Sequence, residues 1–317
     1  MPEQTPTLPP APAPFEACYR HPGVQTGVHC TRCGRPICPD CMVAAPIGHQ
    51  CPECVAQARK EFRQGPGRAV RAGVRSGAGA DGRLVTKVLL VAMLAGFVLE
   101  IAVGGPNALM NGPDYIKLID LGAMFPPLIA QGQYWRLFTA MFLHIGLLHI
   151  GFNAYALWLF GPAIEDAYGR GRYLLIFFVT GFLASATSYA FGPTHDIGVG
   201  ASGAIFGVFG AFIAYNYRRR HLALAAANLR WAFTLIVLNA FLAFSFSAID
   251  WRAHAGGLVA GLAAGFVAEG FGSRTQRTAV RIAGFAALIA LGIAVVAWRT
   301  GQINAMAQTL VFIGTGK

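Results

Sequence analysis

From Val88 onward the chain is a succession of seven apolar segments: Val88–Val103, Leu137–Phe160, Tyr173–Phe191, Ser202–Tyr217, Trp231–Ala248, His254–Phe271 and Ile282–Trp298. Each approaches or exceeds the ~20 residues with which an α-helix crosses a ~30 Å hydrocarbon layer. Lipid offers backbone N–H and C=O groups no partner, so such segments cross as helices that satisfy themselves. Charged residues make up only 12% of the 317 and hydrophobic residues 55%, where soluble globular chains carry about 25% charged residues. The expected fold class is an all-α polytopic membrane protein. A soluble enzyme is excluded, and so is a disordered scaffold outside the N-terminus.

The net charge of +11 reads as a nucleic-acid signal only until it is mapped. Residues 1–87 hold 11 Lys/Arg against 6 Asp/Glu, and the other 14 basic residues lie mostly in short connections between apolar segments. That pattern describes membrane topology and argues against nucleic acid as a partner. The tail before the first segment, the turn with Arg170 and Arg172, Arg218–Arg220 with Arg230, and the group Arg274, Arg277 and Arg281 all fall on one side. The alternate loops are poor in basic residues: Lys117 and Arg136 in a long one, none near His195, and Arg252. Cytoplasmic loops are the ones enriched in Lys and Arg, so the N-terminus is expected in the cytoplasm. The C-terminus, after an odd number of spans, is expected outside the cell membrane.

Residues 1–17 are rich in proline and lack the charged start and apolar centre of a signal peptide; they read as a disordered lead-in. Residues 59–86 mix Gly, Arg and Ala, as expected of a flexible basic linker that lies against anionic headgroups. Between them, residues 18–58 contain all seven cysteines. The pairs Cys18-x2-His21, Cys30-x2-Cys33, Cys38-x2-Cys41 and Cys51-x2-Cys54 supply eight ligands, enough for two tetrahedral Zn2+ sites. A reducing cytoplasm favours metal over disulfides. So short a segment cannot build an adequate apolar core, and the metals would provide much of its folding free energy. His49 could replace Cys51 or Cys54, and His29 is a lesser competitor. Full coordination by protein leaves no position for a catalytic water, so the two ions are expected to be structural.

Two apolar segments carry seams of small residues: Gly203, Gly207 and Gly210 in the fourth, Gly257, Gly261 and Gly265 in the sixth. Intervals of three and four keep each seam on one helix face, where missing side chains permit close approach. The fourth and sixth helices are therefore expected to touch. Ionisable residues at membrane depth are costly and mark function. His254 sits three residues before Gly257, on the seam face, and Ser202 adjoins the matching seam. That places a hydroxyl beside an imidazole, the pair that nucleophilic catalysis requires. A 16-residue fourth helix is ~24 Å long, so Ser202 should sit below the surface, reached by the irregular segment 192–200 beside water. First-turn N–H groups, that of Ser202 included, are free to stabilise an oxyanion. His149 and Asn153, four residues apart, add two donors from one face. By the same spacing His144 points elsewhere and reads as structural, and Glu100 is expected to snorkel or to make a local hydrogen bond.

His144-x4-His149-x3-Asn153, Gly200-x-Ser202-Gly203 and Ala253-His254-x2-Gly257, in that order, resemble the rhomboid intramembrane serine proteases. Tyr134-Trp135-Arg136 also resembles that family's re-entrant first loop, and the resemblance covers roughly residues 84–271. It implies a six-helix catalytic core over residues 87–272 and an extra transmembrane helix with an outer tail over 273–317. It also implies a Ser202–His254 dyad with no acidic third member, and an oxyanion hole from His149, Asn153 and the Ser202 N–H. Phe206 stands where the family often has a tyrosine stacked on the catalytic ring; it keeps the stacking face and loses the hydroxyl. Phe244, Phe246 and Trp251, in the loop 244–253, resemble a gate, and read equally as interfacial anchors. The cysteine segment resembles a B-box-type zinc finger. Its interleaved wiring pairs Cys18 and His21 with Cys38 and Cys41, leaving Cys30, Cys33, Cys51 and Cys54 for the second ion.

The resemblance implies cleavage of single-pass transmembrane substrates within or near their spans, with small residues at the cut and helix-destabilising residues around it. The alternative is a catalytically inactive rhomboid-like scaffold that holds membrane clients while its zinc finger recruits a cytoplasmic protein. Such relatives characteristically lack the serine or the histidine, and both are here. A transporter would show broken helices in two related halves, and the sequence has no such halves.

Overall fold

The computed structural model describes residues 15–45, 47–64, 83–245 and 249–315. The chain divides into two compact units, Met1–Ala80 and Asp81–Lys317.

The first unit is built from two short antiparallel hairpins, β1 (Glu16–Ala17) with β2 (Gln25–Thr26) and β3 (Val43–Ala44) with β4 (His49–Gln50), followed by α1 (Pro52–Gln64). Its buried centre is Ile37 with Cys18, Cys30, Cys38, Cys41 and Cys51, too little apolar surface to stabilise a fold unaided. Salt bridges Arg32–Glu61 and Arg35–Glu53, each 2.6 Å, tie α1 to the preceding loop. The helix continues through residue 59 to Gln64, so the start of the expected linker is helical, and the next long helix among the described residues begins at Leu84. The remainder of that linker and the expected lead-in lie outside the described residues.

The second unit contains α2 (Leu84–Gly104), α3 (Gly146–Tyr168), α4 (Arg170–Phe191), α5 (Ser202–Tyr217), α6 (Ala223–Ser245), α7 (Trp251–Glu269) and α8 (Arg274–Thr315). Among the described residues five helices are long and apolar enough to cross a membrane: α2, α3, α4, and most of α6 and α8. The other two, α5 and α7, form the interior pair. α5 is lined by Gly, Ala, Ile, Val and Phe on nearly every side and contacts α3, α4, α6 and α7. The glycine seams meet as expected. A Cβ added at Gly257 would fall on the Gly203 carbonyl oxygen, and one added at Gly261 on that of Gly207. Backbone-to-backbone contact of this kind is what small residues permit in lipid, where no hydrophobic force draws helices together.

Several expected boundaries move. The second apolar run does not open a helix at Leu137: residues 136–142 form a helical turn and a 3-10 turn, and α3 starts only at Gly146. Gly146 has φ 78° and lies against the Met110 carbonyl, leaving no room for a side chain there. α6 starts at Ala223 and so includes Arg230. α7 begins at Trp251, placing that residue on the helix and not in a loop. α8 extends 42 residues without a proline, about 63 Å at 1.5 Å per residue. It therefore takes in most of the expected outer tail.

Residues 105–145 run as short helical turns, held by the buried Arg136. Its guanidinium donates to Gln133 Oε1 (2.7 Å) and to the carbonyls of Ile119 (2.5 Å) and Ala123 (3.0 Å). At the opposite end of the bundle, arginines from α4, the turn between α5 and α6, and α8 converge on the end of α7. Arg218 and Arg219 pair with Glu269 at 2.7 and 2.6 Å. Arg172 and Arg281 donate to the Ala268 carbonyl at 3.3 and 2.8 Å, where cations complement a helix C-terminus. On α3 the buried Glu165 accepts from the backbone N–H groups of Val85 and Thr86, both 3.0 Å, and so caps α2 from another helix.

Candidate functional site

Ser202 is the first residue of α5 and His254 the fourth of α7, at the end of the bundle away from the arginine cluster. The seam fixes their relation. Phe206, one turn after Ser202 and on the same face, stacks on the His254 ring with centroids 4.3 Å apart and planes 15° apart. Ser202 therefore lies on the face of α5 that meets His254. Asp250, the carboxylate at the start of α7, is committed elsewhere. Its Oδ1 accepts from the N–H groups of Arg252 and Ala253 at 3.1 and 3.2 Å as the helix N-cap, and its Oδ2 accepts from Ser188 Oγ.

The segment 192–200 leads into Ser202 without regular structure and is positioned by backbone pairing. Gly198 exchanges two 2.9 Å hydrogen bonds with Met124, and the Gly200 N–H donates to the Ala140 carbonyl at 2.9 Å. Gly200 has φ 118°, and a Cβ there would stand 2.7 Å from His149 Nε2 and 3.9 Å from Asn153 Nδ2. The backbone just before Ser202 thus faces both expected oxyanion donors. The tautomer of His149 follows from its partner: Nδ1 accepts from the Ile145 N–H at 3.2 Å, so the proton sits on Nε2, the nitrogen beside Gly200. Asn153 is buried and donates one amide hydrogen to the His149 carbonyl at 3.0 Å, leaving the other. Ser202 follows two residues after Gly200 as the first residue of α5, where backbone N–H groups have no partner within the helix.

His144 is fully buried beside Glu100. It precedes α3, so helical spacing from His149 does not govern it, and the two rings lie with centroids 5.2 Å apart. Its backbone N–H donates to the fully buried Glu100 at 2.7 Å, so Glu100 makes the local hydrogen bond and does not snorkel. Of the expected gate, Trp251 is half exposed beneath the Arg252 guanidinium; Phe246 and the Phe244 side chain lie outside the described residues. Gly200 is the residue whose importance sequence reading missed. It was visible within the motif, but only its positive φ and its closeness to His149 give it a role.

In the first unit the ligand atoms gather in two groups, Cys18, His21, Cys38 and Cys41, and Cys30, Cys33, Cys51 and Cys54, each within 4.8 Å of one another. His49, on β4, belongs to neither group. His21 presents Nδ1, 3.2 Å from Cys38 Sγ and 3.5 Å from Cys41 Sγ. Burial pushes the Cys18 thiol up, but backbone N–H groups of Arg20, Cys38 and His21 offset this and bring it down to about 6. Cys41 in the same group is pushed up to about 11, by burial and then by Cys38 and Cys18 beside it. One group of thiolates cannot all ionise together without a cation, and a divalent ion relieves that repulsion. Each of the two groups could hold one metal ion.

A family model described as the Rhomboid domain matches residues 131–270, from just before Arg136 to the end of α7. Rhomboid protease GluP of Bacillus subtilis is 41% identical over 167 residues, covering 52% of this chain and 31% of its own length. The putative rhomboid protease YdcA of the same organism is 34% identical over 139 residues, 44% of this chain and 69% of its own. Rhomboid-like protease 1 of Toxoplasma gondii is 34% identical over 157 residues, 47% and 52% respectively. The chain thus spans less than a third of GluP and about half of the Toxoplasma relative.

Proposed function

The chain belongs to the rhomboid family, and we propose that it is an intramembrane serine endopeptidase. Ser202 Oγ attacks the scissile carbonyl carbon while His254 takes its proton. The carbonyl oxygen becomes an oxyanion, held by His149 Nε2–H, Asn153 Nδ2–H and the Ser202 N–H. His254 then gives the proton to the departing amine, and water releases the acyl group by the same steps. A stacked Phe206 holds the imidazole plane without a carboxylate, the task an aspartate performs in three-membered sites. The observation that carries this reading is that stack, because it ties α5 and α7 together one turn from Ser202.

Substrates are single-pass membrane proteins whose helices open near the cut, since a stable helix hides its peptide bonds. The arginine-rich end faces the cytoplasm and the Ser202 end faces outward. The first unit binds two structural Zn2+ ions through Cys18, His21, Cys38 and Cys41, and Cys30, Cys33, Cys51 and Cys54. Bound zinc would supply cross-links in place of a core, and the domain so formed docks a cytoplasmic protein. Reconstituted in liposomes with single-span proteins, the wild-type chain is expected to produce paired fragments and Ser202→Ala none. Equal product from the mutant rejects the nucleophile.

A further inference from the structure

α8 lies outside the residues matched by the family model, yet its second half touches the segment that delivers Ser202. Arg299 Nη2 donates to the Gly192 carbonyl at 3.3 Å and to Thr194 Oγ1 at 3.4 Å. One residue on, Thr300 Oγ1 lies 2.9 Å from Tyr189 Oη at the end of α4, and the Trp298 and Phe191 rings lie 6.1 Å apart. Val296 and Ile303 are buried in a cluster with Met124, Ile129 and Tyr189. Met124 is the residue that pairs with Gly198. A single helix therefore holds the start of the loop, at Gly192 and Thr194, and packs in the same cluster as Met124, the bridge partner of Gly198. Arg299 also donates from Nη1 to Gln302 Oε1 on α8 at 3.2 Å, so its guanidinium links the helix to the loop.

We infer that α8 is a clamp on the loop 192–200 and that Arg299 is a positioning residue for the serine site, acting through that loop. This deepens the protease reading and rests on it for its catalytic consequence. The clamp sets how far the Gly200 backbone stands from His149, and so whether the oxyanion donors converge. A chain ending after α7 would keep every motif residue and lose this restraint.

The test compares Arg299→Leu, Arg299→Lys and Thr194→Val with wild type, using two measurements on folded protein. Hydrogen–deuterium exchange at Gly198 and Gly200 reports the loop directly, whatever the chain catalyses. Turnover of a single-span reporter, with Ser202→Ala as reference, reports the protease reading separately. Arg299→Leu is expected to speed exchange about tenfold and lower kcat about tenfold with KM unchanged, a typical result of loosening a positioning contact. Arg299→Lys should recover most of both. Thr194→Val, which leaves α8 intact, should shift both in the same direction by less. Ile293→Ala, on the exposed side of α8, should change neither. Wild-type exchange in both Arg299→Leu and Thr194→Val overturns the clamp, and so does an equal change in Ile293→Ala. Faster exchange with wild-type kcat overturns the positioning role.

Discussion

Replacing Gly200 with alanine tests the geometry at the point where loop, oxyanion donors and nucleophile meet. At φ 118° an L-residue is strained by about 1–3 kcal/mol. The new Cβ would also stand 2.7 Å from His149 Nε2 and 2.8 Å from Cε1, where heavy atoms settle at roughly 3.5 Å. The ring must withdraw by about 0.8 Å to reach that contact. It cannot do so freely, because Nδ1 is tied to the Ile145 N–H; the ring tips, and Nε2–H leaves its target. Losing one oxyanion donor costs about 100- to 1,000-fold in kcat. We therefore expect about a hundredfold fall with KM within about twofold. Gly132→Ala is the matched control: it shares the positive φ, at 101°, and meets nothing within 4 Å. It should lower thermal stability and leave turnover per folded molecule unchanged. The assay is initial-rate cleavage of a single-span reporter in detergent, normalised to the monodisperse fraction. Folded Gly200→Ala turning over at the wild-type rate would refute the placement of His149.

His149→Gln should reduce kcat by about 100-fold or more with little change in thermal midpoint, measured on the same reporter; an effect confined to KM contradicts an oxyanion role. Chelation should unfold the first unit, followed by circular dichroism of residues 15–64, and added Zn2+ should restore it at two ions per chain; a fold indifferent to chelator contradicts a structural metal. Acid should act likewise. Cys18 and Cys30 titrate near 9.0 when unfolded and are lowered to about 6 in the fold. The stability linked to their thiolates is thus complete above about pH 9 and lost as pH falls through 6, a window that bound metal moves lower still. Metal release that accelerates as pH rises from 6 to 9 would have the wrong sign.

The legible parts of this protein were those where one residue type has one use. Glycines at intervals of three and four announced the contact between α5 and α7, because only absent side chains let backbones touch in lipid. Two-residue spacing of cysteines announced eight ligands for two ions; their division into two groups came from the resemblance to a B-box-type finger, and only folding separated His49 from Cys51 and Cys54. Hydropathy misplaced the start of α3, since Leu137–Phe142 is as apolar as a helix, yet the chain turns extended at Leu143 and takes a positive φ at Gly146, where the Met110 carbonyl leaves no room for a side chain. The direction of the His144 ring was not legible for the same reason: His144 precedes α3, and spacing rules apply only within a helix. The hold of Arg299 on Gly192 and Thr194 joins residues more than a hundred positions apart and leaves no local signature.

The most direct test is to treat the membrane-embedded protein with a fluorophosphonate, which reacts only with an activated serine, and to locate the adduct by peptide mass spectrometry. The account predicts one adduct, on Ser202, abolished in His254→Ala while that variant remains folded. Label on another serine, or on Ser202 at an undiminished rate without His254, would contradict it.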